Sequence, residues 1–232
     1  MRKSSPFLCV SFPSVLLFCL LFLLTGCLGP KKIDKWVAEK YMELPPPSNK
    51  KHDQILISSN QTFAGTQLST TVKKTSDMVP LIVYWQFDYK NTCTLNPVIA
   101  ENIFTSTVWS YGSHGMQHKL NGQRIELTIE KIPTKFAIDD KGHMIFLLLY
   151  AYSWDYLTIL PEERDFVVSY KVFDTNNQQM KTGQVTLTGS DKAIDVHMFQ
   201  SLKKKTWSFL DQYDAGIAVM SKHVVDKIVA EL

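Results

Sequence analysis

The first 27 residues decide how much of this chain is available to fold. Met1-Arg2-Lys3 is a positive end, residues 7–24 are almost wholly apolar with Val15 to Leu24 the densest part, and Leu24-Thr25-Gly26-Cys27 closes the segment. A positive end, a short apolar stretch and small residues at the cut are the order of a secretory signal. A membrane-spanning helix needs about 20 apolar residues. Ser11, Pro13 and Ser14 shorten the effective run here, and no cluster of basic residues follows to stop it. The segment is expected to leave the mature protein.

Leu24-Thr25-Gly26-Cys27 resembles the lipobox of bacterial lipoproteins at every position. That resemblance implies a diacylglycerol thioether on the Cys27 sulfur, cleavage between Gly26 and Cys27, and acylation (palmitate or a similar chain) of the new amino group. One acyl chain binds a membrane only marginally, whereas two or more hold firmly. Leu28 stands where an Asp would favour inner-membrane retention in enteric bacteria. The implied location is the cell envelope, lipid-anchored on the outer membrane and facing either the periplasm or the exterior. The expected organisation is a signal peptide over 1–26, a lipidated cysteine and tether over 27–53, and one α+β domain over 54–232.

The formal charge of the whole chain is +3. Losing Arg2 and Lys3 leaves 23 bases against 22 acids, a net of +1. A nearly neutral surface gives no electrostatic reason to expect nucleic acid, and Lys203-Lys204-Lys205 reads as a solvated helix face. Cys9 and Cys19 leave with the signal and Cys27 takes lipid, so Cys93 is left without an internal disulfide partner. With no nucleophile signature around it, Cys93 reads as a buried small residue.

In the tether, residues 33–44 have near-helical spacing of apolar residues, and Pro45-Pro46-Pro47 stops and stiffens the chain. A spacer of this kind is expected to stand free of the domain. Ile55-Leu56-Ile57 and a stretch around Leu68 to Lys73 read as strands. Leu81 to Tyr89 alternates with period two. Asn96-Pro97 reads as a helix start, with Gly112 as its stop. Asn121-Gly122 and Asp139-Asp140-Lys141-Gly142 read as turns, and Ile125, Leu127 and Ile129 as the dry face of a strand between them. Met144 to Leu157 reads as one long central strand. Phe166 to Phe173 and Thr182 to Thr188 follow as a returning pair, and a helix with a long apolar stripe runs from Ser201. The expected fold is α+β, a single antiparallel sheet of five to six strands with two helices packed on one face.

No catalytic constellation emerges. His114 and His118 are four apart, but Gly112, Gly115 and Asn121-Gly122 suggest a solvated loop, and no third metal ligand is at hand. His143, His197 and His223 are isolated. Gly112-Ser113-His114-Gly115 lacks the spacing of a nucleophile elbow. Asp139/Asp140 and Glu162/Glu163 are neighbours in turns rather than a built acid pair. No metal or cofactor is expected.

The aromatic residues carry more. Phe, Trp and Tyr make up 12% of the chain, and Tyr150, Tyr152, Trp154 and Tyr156 share one parity along one strand. Such a row packs beneath the helices, since aromatics dominate cores. If the helices cover the opposite parity, the row instead forms a half-wet surface for a ligand or partner. Tyr84 and Trp85 point to opposite faces, so only one of them can join it.

Lipobox, short spacer, helix, antiparallel meander and C-terminal helix together resemble small envelope lipoproteins: the auxiliary lipoproteins of lipid-trafficking ABC transporters, the YajG-like lipoproteins and the lipopolysaccharide-assembly lipoprotein. The resemblance covers about residues 96–232, from Asn96-Pro97 through Arg124-Ile125-Glu126-Leu127 and the strand pair 166–188 to the stretch from Ala215 to Leu232. It implies a non-enzymatic binding or assembly accessory for lipid or envelope-component transport, with an envelope protein complex or an apolar ligand as partner and the membrane reached through the lipid. No functional residue carries over with it. The alternative is an envelope hydrolase acting on glycan or peptide, whose acids only the fold would bring together.

Overall fold

A computed structural model describes residues 29–42, 54–62, 68–79, 82–147, 150–197 and 199–232. Helix α1 (Pro30–Lys40) comes first, followed by β1 (Ile55–Ser59), β2 (Leu68–Val79) and β3 (Ile82–Thr94). Helix α2 (Pro97–Thr107) runs through a π turn, Val108–Gly112, into α3 (Ser113–Leu120). Strands β4 (Arg124–Lys131), β5 (Lys135–Leu147), β6 (Tyr150–Pro161), β7 (Asp165–Phe173), β8 (Gln179–Thr188) and β9 (Ile194–Val196) precede a long final helix, α4 (Leu202–Glu231).

The α+β class holds, but the single sheet does not. The strands form a four-stranded sheet, β1-β4-β7-β8, and a five-stranded one, β2-β3-β5-β6-β9. In the first, β1 runs parallel to β4 and the other pairs are antiparallel. The second is antiparallel throughout. The supposed meander is divided because the chain changes sheet at two corners. One is Ile132-Pro133-Thr134, where Ile132 and Pro133 are buried and Pro133 has no N–H for a ladder. The other follows Pro161, where the amides of Glu162 and Glu163 both donate to the Lys135 carbonyl.

Helix α4 joins the sheets, touching β7 and β8 of one and β6 and β9 of the other. Its apolar stripe is buried along most of its length, from Phe209 to Ile228. Phe104 of α2 meets Phe166 of β7 edge-on at 5.5 Å between ring centroids, and Phe209 of α4 meets Phe136 of β5 at 5.4 Å. Both contacts belong to one continuous core. Of the local signals, the Asn96 side chain caps α2 through the Val98 amide at 3.0 Å, as its position implies. Asn121 (φ 45°) and Gly122 (φ 90°) make the turn before β4.

Several local expectations fail for packing reasons. The supposed tether helix is not a free spacer. Ile33, Trp36 and Val37 of α1 are buried in the core, the Trp207 indole donates to the Trp36 carbonyl at 2.9 Å, and the Tyr41 hydroxyl donates to Asp214. Gly112 ends no helix: a Cβ there would lie 2.5 Å from Val225 Cγ1, so glycine lets α4 pack against the π turn. His114 and His118 are helical rather than in a loop. Asp139-Asp140-Lys141-Gly142 is no turn but mid-strand, hydrogen-bonded into ladders on both sides. Finally, Met144 to Leu157 is two strands. Leu147 pairs with Tyr150 and the two strands run antiparallel, so the chain reverses between them; residues 148–149 lie outside the described residues.

Candidate functional site

The reversal between β5 and β6 builds the most distinctive surface of the molecule. Strands β3, β5 and β6 are 12 or 13 residues long, roughly twice the usual strand length. At one end they carry Cys93, Phe136 and Ile138 into the core, with Ile159 beside them. At the other they run past the helices and are bare on both faces.

Ladder register fixes what each bare face carries. Tyr84 lies opposite Ile145, which lies opposite Tyr152; Gln86, His143 and Trp154 form the next same-face row. His143 stacks on Trp154 with ring centroids 5.1 Å apart and planes 11° from parallel. The Tyr84 hydroxyl and His143 Nδ1 share a hydrogen bond of 2.6 Å. Tyr152 packs against Trp154 at 5.4 Å, and Tyr156 meets His143 edge-on. The predicted row is therefore uncovered: Tyr150 is 78% exposed, Tyr152 68% and Tyr156 60%, with Trp154 half-buried among its neighbours.

The opposite face is apolar too. Trp85 is 47% exposed and packs edge-on against Phe146 at 5.3 Å. Lower down, the Phe87 ring lies across Gly142 where a Cβ would be 1.9 Å from Cζ, so this mid-strand glycine makes room for an aromatic cover. Beyond it sits Asp140, half-buried, whose carboxyl is raised above the usual range by burial and by Asp155.

Leu147 lies directly opposite Tyr150 and shares its face. Tyr84 joins the row and Trp85 the other face. His143, read as isolated, is the hub of the cluster. What would have found it is the antiparallel register of β5 and β6, but the sequence between them, Leu148-Leu149, has none of the usual turn residues.

The other candidates are structural. The Cys93 thiol is buried, and that burial pushes its pKa up to about 12, away from nucleophile chemistry. Ser113 Oγ donates to the Trp109 carbonyl within a helix. Glu162 is paired with Lys90 at 2.8 Å and Glu163 with Lys135 at 2.9 Å. Asp139 pairs with Lys141 on the face opposite Asp140. His114 and His118 are exposed on α3, and among the described residues no three His, Cys, Asp or Glu side chains are placed to hold a metal. Lys203 bridges to Glu39 and lies over the Trp207 ring. Gly26 and Cys27 lie outside the described residues. Among those described, no helix is long and apolar enough to cross a membrane. In comparisons with known proteins, no family model, curated protein or solved structure matches this chain.

Proposed function

We propose that this chain is a lipoprotein of the cell envelope, anchored through Cys27 on the outer membrane, whose bare aromatic surface makes it a non-enzymatic binding or assembly accessory for lipid or envelope-component transport. The observation that carries this reading is the row Tyr150, Tyr152, Trp154 and Tyr156, which shows amphipathic rings to solvent instead of packing under helices. Large apolar patches left open on a folded domain mark interaction sites. Of the adjacent acids, Glu162 and Glu163 are engaged in ion pairs with Lys90 and Lys135. Helix α1 adds a geometric consequence. It starts at Pro30, three residues after Cys27, and a chain of that length spans about 10 Å. An acylated Cys27 therefore holds the domain against the membrane rather than on a long leash.

The test is purification of the protein from its native membrane in mild detergent, with mass spectrometry of protein and co-eluting material. The expected result is a mature mass starting at acylated Cys27, together with bound lipid or transporter subunits that are lost in the Tyr152→Ala/Trp154→Ala variant. An acylated protein that arrives alone turns the reading to an envelope hydrolase of glycan or peptide, and an uncleaved N-terminus removes the anchor.

A further inference from the structure

We infer that the bare end of the five-stranded sheet inserts into the headgroup region of a lipid bilayer, as a second membrane contact separate from the acyl anchor. This names the occupant of the surface described above and rests on that surface being a binding site.

The distribution of charge along the strands argues for it. Residues 82–86 of β3, 143–147 of β5 and 150–154 of β6 lie side by side in register and include no Asp, Glu, Lys or Arg. Charges begin together just beyond, at Asp88, Lys141 and Asp155. Five residues of strand rise about 16 Å. That matches the headgroup layer plus the 5–10 Å of shallow acyl depth that interfacial elements occupy.

The order within the band also fits. Ile82 and Leu147 are at the tip, exposed. Tyr84, Trp85, Tyr152 and Trp154 follow behind it, as tyrosine and tryptophan do at a membrane–water boundary. The Tyr84 hydroxyl is satisfied by its hydrogen bond with His143. Most tellingly, both faces of the sheet are apolar here: Trp85 and Phe146 on one, Tyr152 and Trp154 on the other. A protein partner covers one face, whereas a bilayer surrounds a tip.

Two features limit the depth. The outer edge of β6 is paired to β9 only from Leu157 to Ile159, so among the described residues its backbone from Tyr150 to Tyr156 lacks a neighbouring strand on that side. Unpaired backbone groups are costly in hydrocarbon, which keeps this edge at headgroup level where water remains. The outer strand β2 carries Asp77 opposite Tyr84, with Lys73 and Lys74 further back. Charged positions there hold the β2 edge at headgroup level as well.

The experiment uses the chain from residue 27 onward with Cys27→Ser, which retains every described element but cannot be acylated. It is floated with vesicles of phosphatidylethanolamine and phosphatidylglycerol, and its tryptophan emission is read with brominated acyl chains present. Co-flotation is expected, with quenching that falls in Trp85→Phe and Trp154→Phe. Leu147→Asp and Ile82→Asp are expected to weaken partitioning about tenfold or more each while leaving the unfolding midpoint in place. Thr186→Asp, on the wet face of β8, leaves flotation unchanged. Failure to float, or flotation indifferent to Leu147→Asp, overturns the inference. So does concentration-dependent self-association that buries Trp154, which assigns the β6 edge to a second copy. Because this protein has no lipid, its failure leaves the anchor to be judged by the mass of the native protein.

Discussion

The two ends of the five-stranded sheet are made from the same three strands, yet one end is core and the other is surface. Cys93, Phe136 and Ile138 are almost fully buried, and a few residues along the same strands Trp85 and Leu147 are roughly half exposed. Apolar content does not separate them; the bare end is the richer in aromatic rings. What differs is cover. Helix α1 meets β2 and β3, and α4 meets β6 and β9, yet Trp85, Leu147, Tyr150 and Tyr152 stay exposed. Alternation along a strand reports that it has apolar faces, and whether those faces are dry depends on elements far away in sequence.

The contrast breaks most easily in the cost of removing a ring. Phe136→Ala empties a site closed by Phe209 and is expected to destabilise by about 3–5 kcal/mol. Tyr152→Ala removes a ring that water already reaches and is expected to cost no more than about 0.5 kcal/mol. Urea unfolding monitored by circular dichroism measures both. Comparable losses would mean that the two ends are equally part of the core.

A smaller effect sharpens the same point at two glycines. At Gly112 an added methyl meets Val225, itself buried in α4, and neither helix can withdraw, so Gly112→Ala is expected to cost about 1–3 kcal/mol. At Gly142 the intrusion on Phe87 is closer still, but that ring is only half-buried and free to swing outward. Gly142→Ala should therefore lower the melting temperature less than Gly112→Ala despite the shorter contact. The reverse order would show that the bare end is rigidly packed.

Much of the fold was legible where one local cause decided it: the Asn96 cap, the Asn121-Gly122 turn, the wet and dry faces of β4, the stripe of α4. The errors cluster where composition and packing disagree. Asp139-Asp140-Lys141-Gly142 has turn composition, yet the ladder on both sides and the Phe87 ring over Gly142 hold it extended. Leu148-Leu149 has none of the usual turn chemistry, so one hairpin read as one strand, and with it went the register that brings His143 to Trp154. The division into two sheets was signalled only by Pro133 and Pro161, which also fit ordinary loops. The aromatic row itself was visible in sequence because parity alone defines it. Its exposure was not, because no feature of residues 150–156 says where α4 stops.

The smallest expected effect compares two carboxylates by pH. At the corner between the sheets, burial tends to raise the Glu163 carboxyl, but Lys135 and the Thr134 amide and hydroxyl outweigh it and hold it below the usual glutamate range. A carboxyl depressed in the fold adds stability that is present above its unfolded pKa and lost as pH falls through the folded one. Asp140, just below the bare end, is the opposite case. Burial raises it, so its contribution is present below the unfolded pKa and lost as pH rises through the folded one. Glu163→Gln is therefore expected to cost about 1 kcal/mol at neutral pH, with the gap to the parent closing below about pH 4. Asp140→Asn should instead gain a few tenths of a kcal/mol at neutral pH, and that gain should also fade on acidification. Denaturation curves at several pH values check both signs. If Asp140→Asn is destabilising at neutral pH, its ionised carboxylate is satisfied where it stands, and the sheet just below the bare end is better ordered around its acids than the contrast allows.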